Sequence, residues 1–419
     1  MRCAGLWRAF VSCPDVSHLV PADAREARDA QTADSTRILM VCGKLPSPIR
    51  SGLDLRTQAI AEALARTMAV AVVATGGAPS PRPPGMALWA APEGEDRSSN
   101  ADLAASALST PDDPFATLVT PHITRHLLDQ VRDFDPDVIV VSRVQQWPFV
   151  AALRDEFDGP IILDLDETAL PLAESIGTLG STTPGERLRL RFLQAVARYE
   201  ARAVAEADAV WVSSELEAAI ARAQHPASPQ VHVVRNAVDA RRYRAIAERP
   251  RSGAIFPGNF AYPPNVSAAM EIATRIAPEL PEIDFHVLGS NVPDALRRLQ
   301  SANLHVAGPV ADMASAIASA RLAVLPIRAG GGTRLKVLEC MAARTPMVAT
   351  PKAIEGLPLE EGVHCLVADS SAQFVEAIRW ATANPDAIAE MTSRAHTLVA
   401  EQYSLDAVEC DLTAALVER

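Results

Sequence analysis

Cysteine is sparse and scattered in this chain of 419 residues. The six cysteines, at positions 3, 13, 42, 340, 365 and 410, show no metal-site or disulfide spacing, and a reducing compartment is expected. A basic excess is also lacking. Fifty-one acidic against 39 basic residues leave a net charge of −12, which excludes non-specific duplex nucleic-acid binding but permits a local anion pocket. Long apolar runs are missing too: the longest, such as Val138–Val141 and Ala323–Ile327, are strand-sized, so no membrane span is expected. Residues 1–34 hold an apolar stretch too interrupted for a signal peptide and are read as an N-terminal extension. Aromatic residues make up only 5%, yet 48% of the chain is hydrophobic and 21% charged. That balance fits neither a disordered chain nor a coiled coil.

What is present is an alternation of short apolar runs with helical patterns. Runs such as Arg37–Cys42 and Val138–Ser142 are continuously apolar, as strands buried on both faces of a parallel sheet must be. Strand and helix alternate in two successive series, the signature of doubly wound α/β folding. The first series occupies 35–240, a polar stretch at 241–253 reads as a linker, and the second fills 254–402. The final helix, within 403–419, has room to pack back near the domain junction. Two such units place the carboxyl ends of their strands across a cleft.

The strongest chemical signal runs from Leu325 to Ala342, where a strand end, Gly330-Gly331-Gly332, Thr333-Arg334 and a helix follow in succession. Glycines let a ligand approach the backbone, and the first amides of a helix lack internal partners. With the helix dipole and Lys336 they make a cradle for a diphosphate, and Thr333 is placed to cap the helix. Glu339 follows three residues after Lys336, and an ionised carboxylate accepts both hydroxyls of a ribose. The plainer alternative is a tight loop followed by a Lys336–Glu339 surface ion pair. An ATPase-type phosphate loop is excluded, since Arg334 and Leu335 stand where that motif needs Gly-Lys or Lys-Ser/Thr.

Gly258 and Gly52 each follow the first strand of a unit, and each either admits a ligand or simply makes a turn. For Asp164-Leu165-Asp166 a metal pair, a hydrogen-bonding role towards an acceptor, and a strand-end turn all stay open. His122 and His126 share a helical face, but Ile123 stands where a zinc hydrolase would need glutamate, so a core or capping pair is the better reading. No metal site is assigned.

These segments together resemble the retaining glycosyltransferases of the GT-B fold (group 1, family 4-like). The resemblance rests on PSPIRSGLDLRTQAIAEAL, on EARAVAEADAVWVSSELE with VVRNAVD, on FPGNFAYPPNVSAAMEIATRIAP, on GGGTRLKVLECMAARTPMVAT and on AIEGLPLEEGVHCLVAD, and spans about residues 37–415. It implies two Rossmann-like domains facing across a deep cleft, with the C-terminal helices crossing back to the first domain. The first domain would bind the acceptor and the second the nucleoside-diphosphate sugar. The second glutamate of the family's Glu-x7-Glu signature falls on Glu339, the ribose ligand, while the first falls on Gly331. Gly52, Gly258, Asn259, Gly331, Gly332, Thr333, Lys336 and Glu339 would line the donor site. Asn259 stands where many relatives have arginine, so Lys336, helped by Arg334, would carry the charge on the leaving group. Arg50, Arg143, Asp164 or Asp166 would orient the acceptor; Asp166 is taken with Lys336 and Arg334 as catalytic.

No cofactor or metal is implied. The acceptor would be a glycan, a lipid-linked saccharide or a small molecule, nucleic acid is not a partner, and the expected location is the cytoplasm or the inner face of the membrane. Two other classes share the architecture: a non-hydrolysing sugar-nucleotide epimerase, and a catalytically silent nucleotide-sugar-binding protein, for which Gly331 speaks.

Overall fold

The computed structural model describes residues 36–45, 52–77, 82–83, 85–92, 113–177, 184–226, 230–239, 241–244 and 251–417. The expected extension over 1–34 and Arg50 lie outside the described residues. The first domain is built on β1 (Arg37–Cys42), β2 (Ala69–Ala74), β3 (Leu88–Ala90), β4 (Val138–Ser142), β5 (Ile161–Asp166), β6 (Ala209–Val212) and β7 (Gln230–Val233). All pair in parallel, in the order β3-β2-β1-β4-β5-β6-β7. The second domain uses β8 (Ser252–Asn259), β9 (Phe285–Ser290), β10 (Leu304–Ala307), β11 (Ala320–Leu325), β12 (Met347–Ala349) and β13 (Leu366–Val367). These too are parallel, ordered β10-β9-β8-β11-β12-β13.

The apolar runs explain the sheets: β1, β2, β4 and β5 are buried from end to end, except at the first residue of β1 and of β2. In both sheets the strand order reverses beside the first strand of the domain, between β1 and β4 and between β8 and β11. Connecting helices leave in opposite directions there and open a crevice at the carboxyl ends. At the end of β8, Gly258 lies beside Gly289, whose φ is 153°, and a Cβ on Gly289 would sit 1.6 Å from the Gly258 carbonyl oxygen. Backbone touches backbone here, and only glycine fits.

The chain crosses between the domains twice. After the helix Pro385–Gln402 it returns to the first domain as the helix Leu405–Val417, as the resemblance implied. Leu405, Val408, Leu412 and Ala415 complete the core beneath β1, among Ile38, Met40 and Val70. Arg66 pairs with Asp406 and Glu409, and Arg235 makes a two-pronged pair with Asp411. Where the crossings pass, the Val238 amide donates to the Tyr403 carbonyl at 2.9 Å.

The structure departs from the sequence expectations in places. The stretch expected as a plain linker holds the short helix Arg241–Arg244, whose Tyr243 is buried in the second domain's core, and β8 begins at Ser252. A helix at Ala169–Gly177 was not expected. Its Pro171 lies in the first turn, where the missing N–H costs nothing. Among the described residues no helix is long and apolar enough to cross a membrane.

Candidate active site

On the first domain the site begins with backbone strain. Arg143 and Asp166, at the carboxyl ends of the neighbouring strands β4 and β5, have φ of 75° and 65°. Aspartate enters this region more readily than arginine, and β5 is irregular at Asp166, so the strain rests chiefly on Arg143; such strain collects at functional sites. Beneath them lies Arg56, fully buried on the helix Gly52–Leu64. Its Nε and Nη2 grip Asp164, the closest contact being 2.6 Å, and its Nη1 donates to the Val234 carbonyl and to Asn236 Oδ1. Burial opposes the charge on Arg56, and the carboxylates of Asp164 and Asp166 outweigh it. Asn236 Nδ2 donates on to Asp166 Oδ1 at 3.3 Å, and Arg143 stands 3.5 Å from Asp166 and from Glu167. The two carboxylates of Asp164-Leu165-Asp166 are thus held by arginines and an amide. Among the described residues no group of three or more His, Cys, Asp or Glu is arranged to hold a metal.

On the second domain Gly330 and Gly332 have φ of 112° and 66°, so the loop turns through conformations that favour glycine. The helix Leu335–Ala342 starts directly after it. Thr333 does not cap this helix, contrary to expectation: the N-cap position is Arg334, without a side-chain cap, and the Thr333 hydroxyl donates to the Ser213 carbonyl instead. Lys336 is half-buried over the Phe256 ring, 4.5 Å from its centroid, and donates to Asn265 Oδ1 at 2.7 Å. Glu339 accepts from the Tyr243 hydroxyl at 3.2 Å. The two are therefore not a surface ion pair. Gly258 packs against the Asn265 side chain, and Asn265 Nδ2 donates to the Asn259 carbonyl. The Asn259 side chain is spent on the turn, accepting from the Ala261 amide and from Asn291.

The two walls meet. The Gly332 amide donates to Glu217 Oε1 at 2.9 Å and the Thr333 amide to Ser213 Oγ at 3.3 Å, while the Thr333 carbonyl accepts from Asn236 Nδ2. Gly52 faces Leu335. The structure thus brings Gly52, Asp166, Gly331, Gly332, Thr333 and Arg334 together across the cleft, with Lys336, Glu339, Gly258 and Asn259 behind them on the second domain. Arg334 donates through Nη1 to the Gly332 carbonyl, while its Nε and Nη2 are buried without a hydrogen-bond partner among the described residues.

Family profiles match both halves of this arrangement. One described as "Glycosyl transferase 4-like domain" covers residues 51–237, and one described as "Glycosyl transferases group 1" covers 251–384. The chain belongs to the GT-B glycosyltransferases. Solved structures agree on the fold. Sucrose-phosphate synthase from Thermosynechococcus elongatus superposes with a TM-score of 0.71 at 14% identity, over 91% of this chain and 98% of that one. The Anabaena protein HepE in complex with UDP and glucose gives 0.64 at 12% identity, over 92% and 100%. The trehalose-6-phosphate synthase OtsA gives 0.64 at 11%, over 91% and 99%. No curated protein matches the sequence at a significant level.

This glycosyltransferase carries site residues that sequence reasoning missed. Arg56, Asn236, Ser213, Glu217 and Asn265 position the two walls. All five lie in segments quoted for the resemblance, where none was singled out as a site residue; Ser214-x-x-Glu217 also has the spacing of a capping box. Ser214 does cap that helix, accepting from the Glu217 amide, but the Glu217 carboxylate reaches across the cleft.

Burial, reinforced by Arg334, pushes the Lys336 ammonium down to about 7. A bound diphosphate would stabilise the charged form and raise that value, so binding takes up a proton between the two. Nucleoside-diphosphate affinity should then fall as pH rises above about 7, by up to tenfold per pH unit. Titration calorimetry in buffers of different ionisation heat reads the uptake directly. Equal heats, or an unchanged pH profile in Lys336→Met, would contradict the assignment.

Proposed function

We propose that this glycosyltransferase moves a sugar from a nucleoside-diphosphate sugar to an acceptor hydroxyl with retention at the anomeric carbon. The observation that carries the reading is Lys336: a half-buried cation on the first turn of the helix after a three-glycine loop, with no carboxylate bonded to it among the described residues. The diphosphate would lie against Lys336 and the helix amides, and Glu339 would accept the ribose hydroxyls. Asp166 and Arg143 face this loop from the acceptor side. Because the Gly332 and Thr333 amides now serve Glu217 and Ser213, the donor would enter with the walls parted and take these partners over.

In the transfer the bond from the anomeric carbon to the phosphate oxygen breaks, and a bond from the acceptor oxygen to that carbon forms on the same face. The acceptor proton passes to the departing phosphate. Negative charge grows on the diphosphate, where a fixed cation and fixed amides lower the barrier most. No dedicated carboxylate base is required. A lipid-linked acceptor would place the work at the inner face of the membrane; a soluble one would leave it in the cytoplasm.

A thermal-shift screen against UDP-, GDP-, ADP- and dTDP-sugars tests the reading, since a ligand present at about 100 times its dissociation constant adds roughly 2.7 kcal/mol. One base should raise the melting temperature, and product analysis with that donor should show transfer. Epimerised sugar nucleotide in place of transfer would favour the epimerase class.

A further inference from the structure

We infer that Glu167, a residue of the first domain, supplies the carboxylate that holds hydroxyls of the transferred sugar at the glycine loop of the second. This rests on the proposed donor reading and adds the residue that recognises the sugar.

The starting point is Gly331. Its neighbours Gly330 and Gly332 have positive φ; Gly331 does not, so its backbone would accept a side chain. What excludes one is Glu167. A Cβ on Gly331 would lie 2.9 Å from Glu167 Oε2, and the three atoms nearest to it all belong to Glu167. The carboxylate from across the cleft stands where a side chain of residue 331 would be.

Its placement is enforced. The two amides after Glu167 are both held by buried glutamates: Thr168 donates to Glu217 Oε2 through N and Oγ1, and Ala169 donates to both oxygens of Glu200. The Arg143 guanidinium is 3.5 Å from Glu167, and the buried Nε and Nη2 of Arg334, without a hydrogen-bond partner among the described residues, belong to the same loop. The Tyr262 hydroxyl lies 2.5 Å from where a Cβ on Gly330 would be. Acceptor and donors together suit a polyol.

The order of charges points the same way. From Glu339 through Lys336 to Gly331 the chain meets a carboxylate, a cation, and then the Glu167 carboxylate. That matches ribose, diphosphate and sugar in sequence along a nucleotide sugar. A phosphate beside Glu167 would be repelled, whereas a ring of hydroxyls is accepted. Because Glu167 belongs to the acceptor domain, it meets the sugar only with the cleft closed.

The test compares affinities of the wild type, Glu167→Gln, Glu167→Ala and the double variant Glu167→Ala with Gly331→Glu, for the sugar nucleotide found by the screen and for its nucleoside diphosphate. Both single variants should bind the sugar nucleotide about 10–100-fold more weakly and the bare diphosphate within about threefold of wild type. The double variant should regain sugar-nucleotide affinity, because the carboxylate returns from the other side. Equal losses for both ligands, or no loss for either, would overturn the inference and leave Glu167 a closure contact. A wild type that binds no sugar nucleotide would instead remove the donor reading, and the inference with it.

Discussion

Replacing Asp164 by alanine should destabilise the protein by about 3–5 kcal/mol, the usual cost of stranding a buried charge. Arg56 is completely buried and cannot reach water, and Asp164 is its closest counter-charge. Asp166, at 3.8 Å, is a weaker substitute. The loss should reach the site as well, because Arg56 also holds Asn236, which bonds both Asp166 and the Thr333 carbonyl. Urea denaturation gives the stability, and donor affinity measured well below the unfolding midpoint gives the effect on the cleft. Arg56→Met combined with Asp164→Leu should recover much of the stability, since a buried pair replaced by apolar groups of similar volume is often neutral. It should not recover donor affinity. A single variant that loses under about 1 kcal/mol would mean that Arg56 is charge-balanced without Asp164.

Lys336→Ala carries the second large effect. On the proposed reading the ammonium acts where charge develops on the leaving diphosphate, and removing one such preorganised group costs about 10²–10³ in kcat. Arginine is not an equivalent replacement, because a planar fork differs in shape from the compact ammonium that donates to Asn265 Oδ1 over the Phe256 ring. Glu339→Ala should behave differently. A ribose held by Glu339, as proposed, would be bound alike in ground and transition states, so the loss of that contact should raise KM for the donor about 10–100-fold and leave kcat near wild type. Steady-state kinetics of the two variants with one donor separates the roles. A Lys336→Ala enzyme with unchanged kcat would take the phosphate assignment away from that residue.

The fold was legible because parallel strands are buried on both faces and announce themselves as unbroken apolar runs, as in β1 and β4. The glycine loop and its helix were legible because glycine runs and helix starts are local. Arg56 was not. A single arginine in an amphipathic helix reads as surface, and its partners Asp164 and Asn236 lie 108 and 180 residues away. The same holds for Glu217, 115 residues from Gly332, whose capping pattern offered a sufficient local explanation. Tyr243 was lost in a stretch that looked polar, because one aromatic side chain carries no periodicity. The sequence also marked Gly331 as the place of an absent glutamate, but not what fills the space: Glu167 reaches it only through the closed arrangement of two domains.

The returning C-terminal helix bears on how the protein is made. Leu405, Val408, Leu412 and Ala415 are part of the first domain's core, and Arg66 finds its acidic partners 340 residues further on. A ribosome working at about 5–20 residues per second needs roughly 20–70 s to cover that distance. Throughout that interval the emerging first domain has its sheet but not the helix that covers one side of it. An apolar groove stays open to solvent and to other nascent chains until the helix Leu405–Val417 has left the exit tunnel and docked. The helix Leu405–Val417 therefore seals a domain made long before it, and a chain interrupted ahead of Leu405 would be left with that groove uncovered.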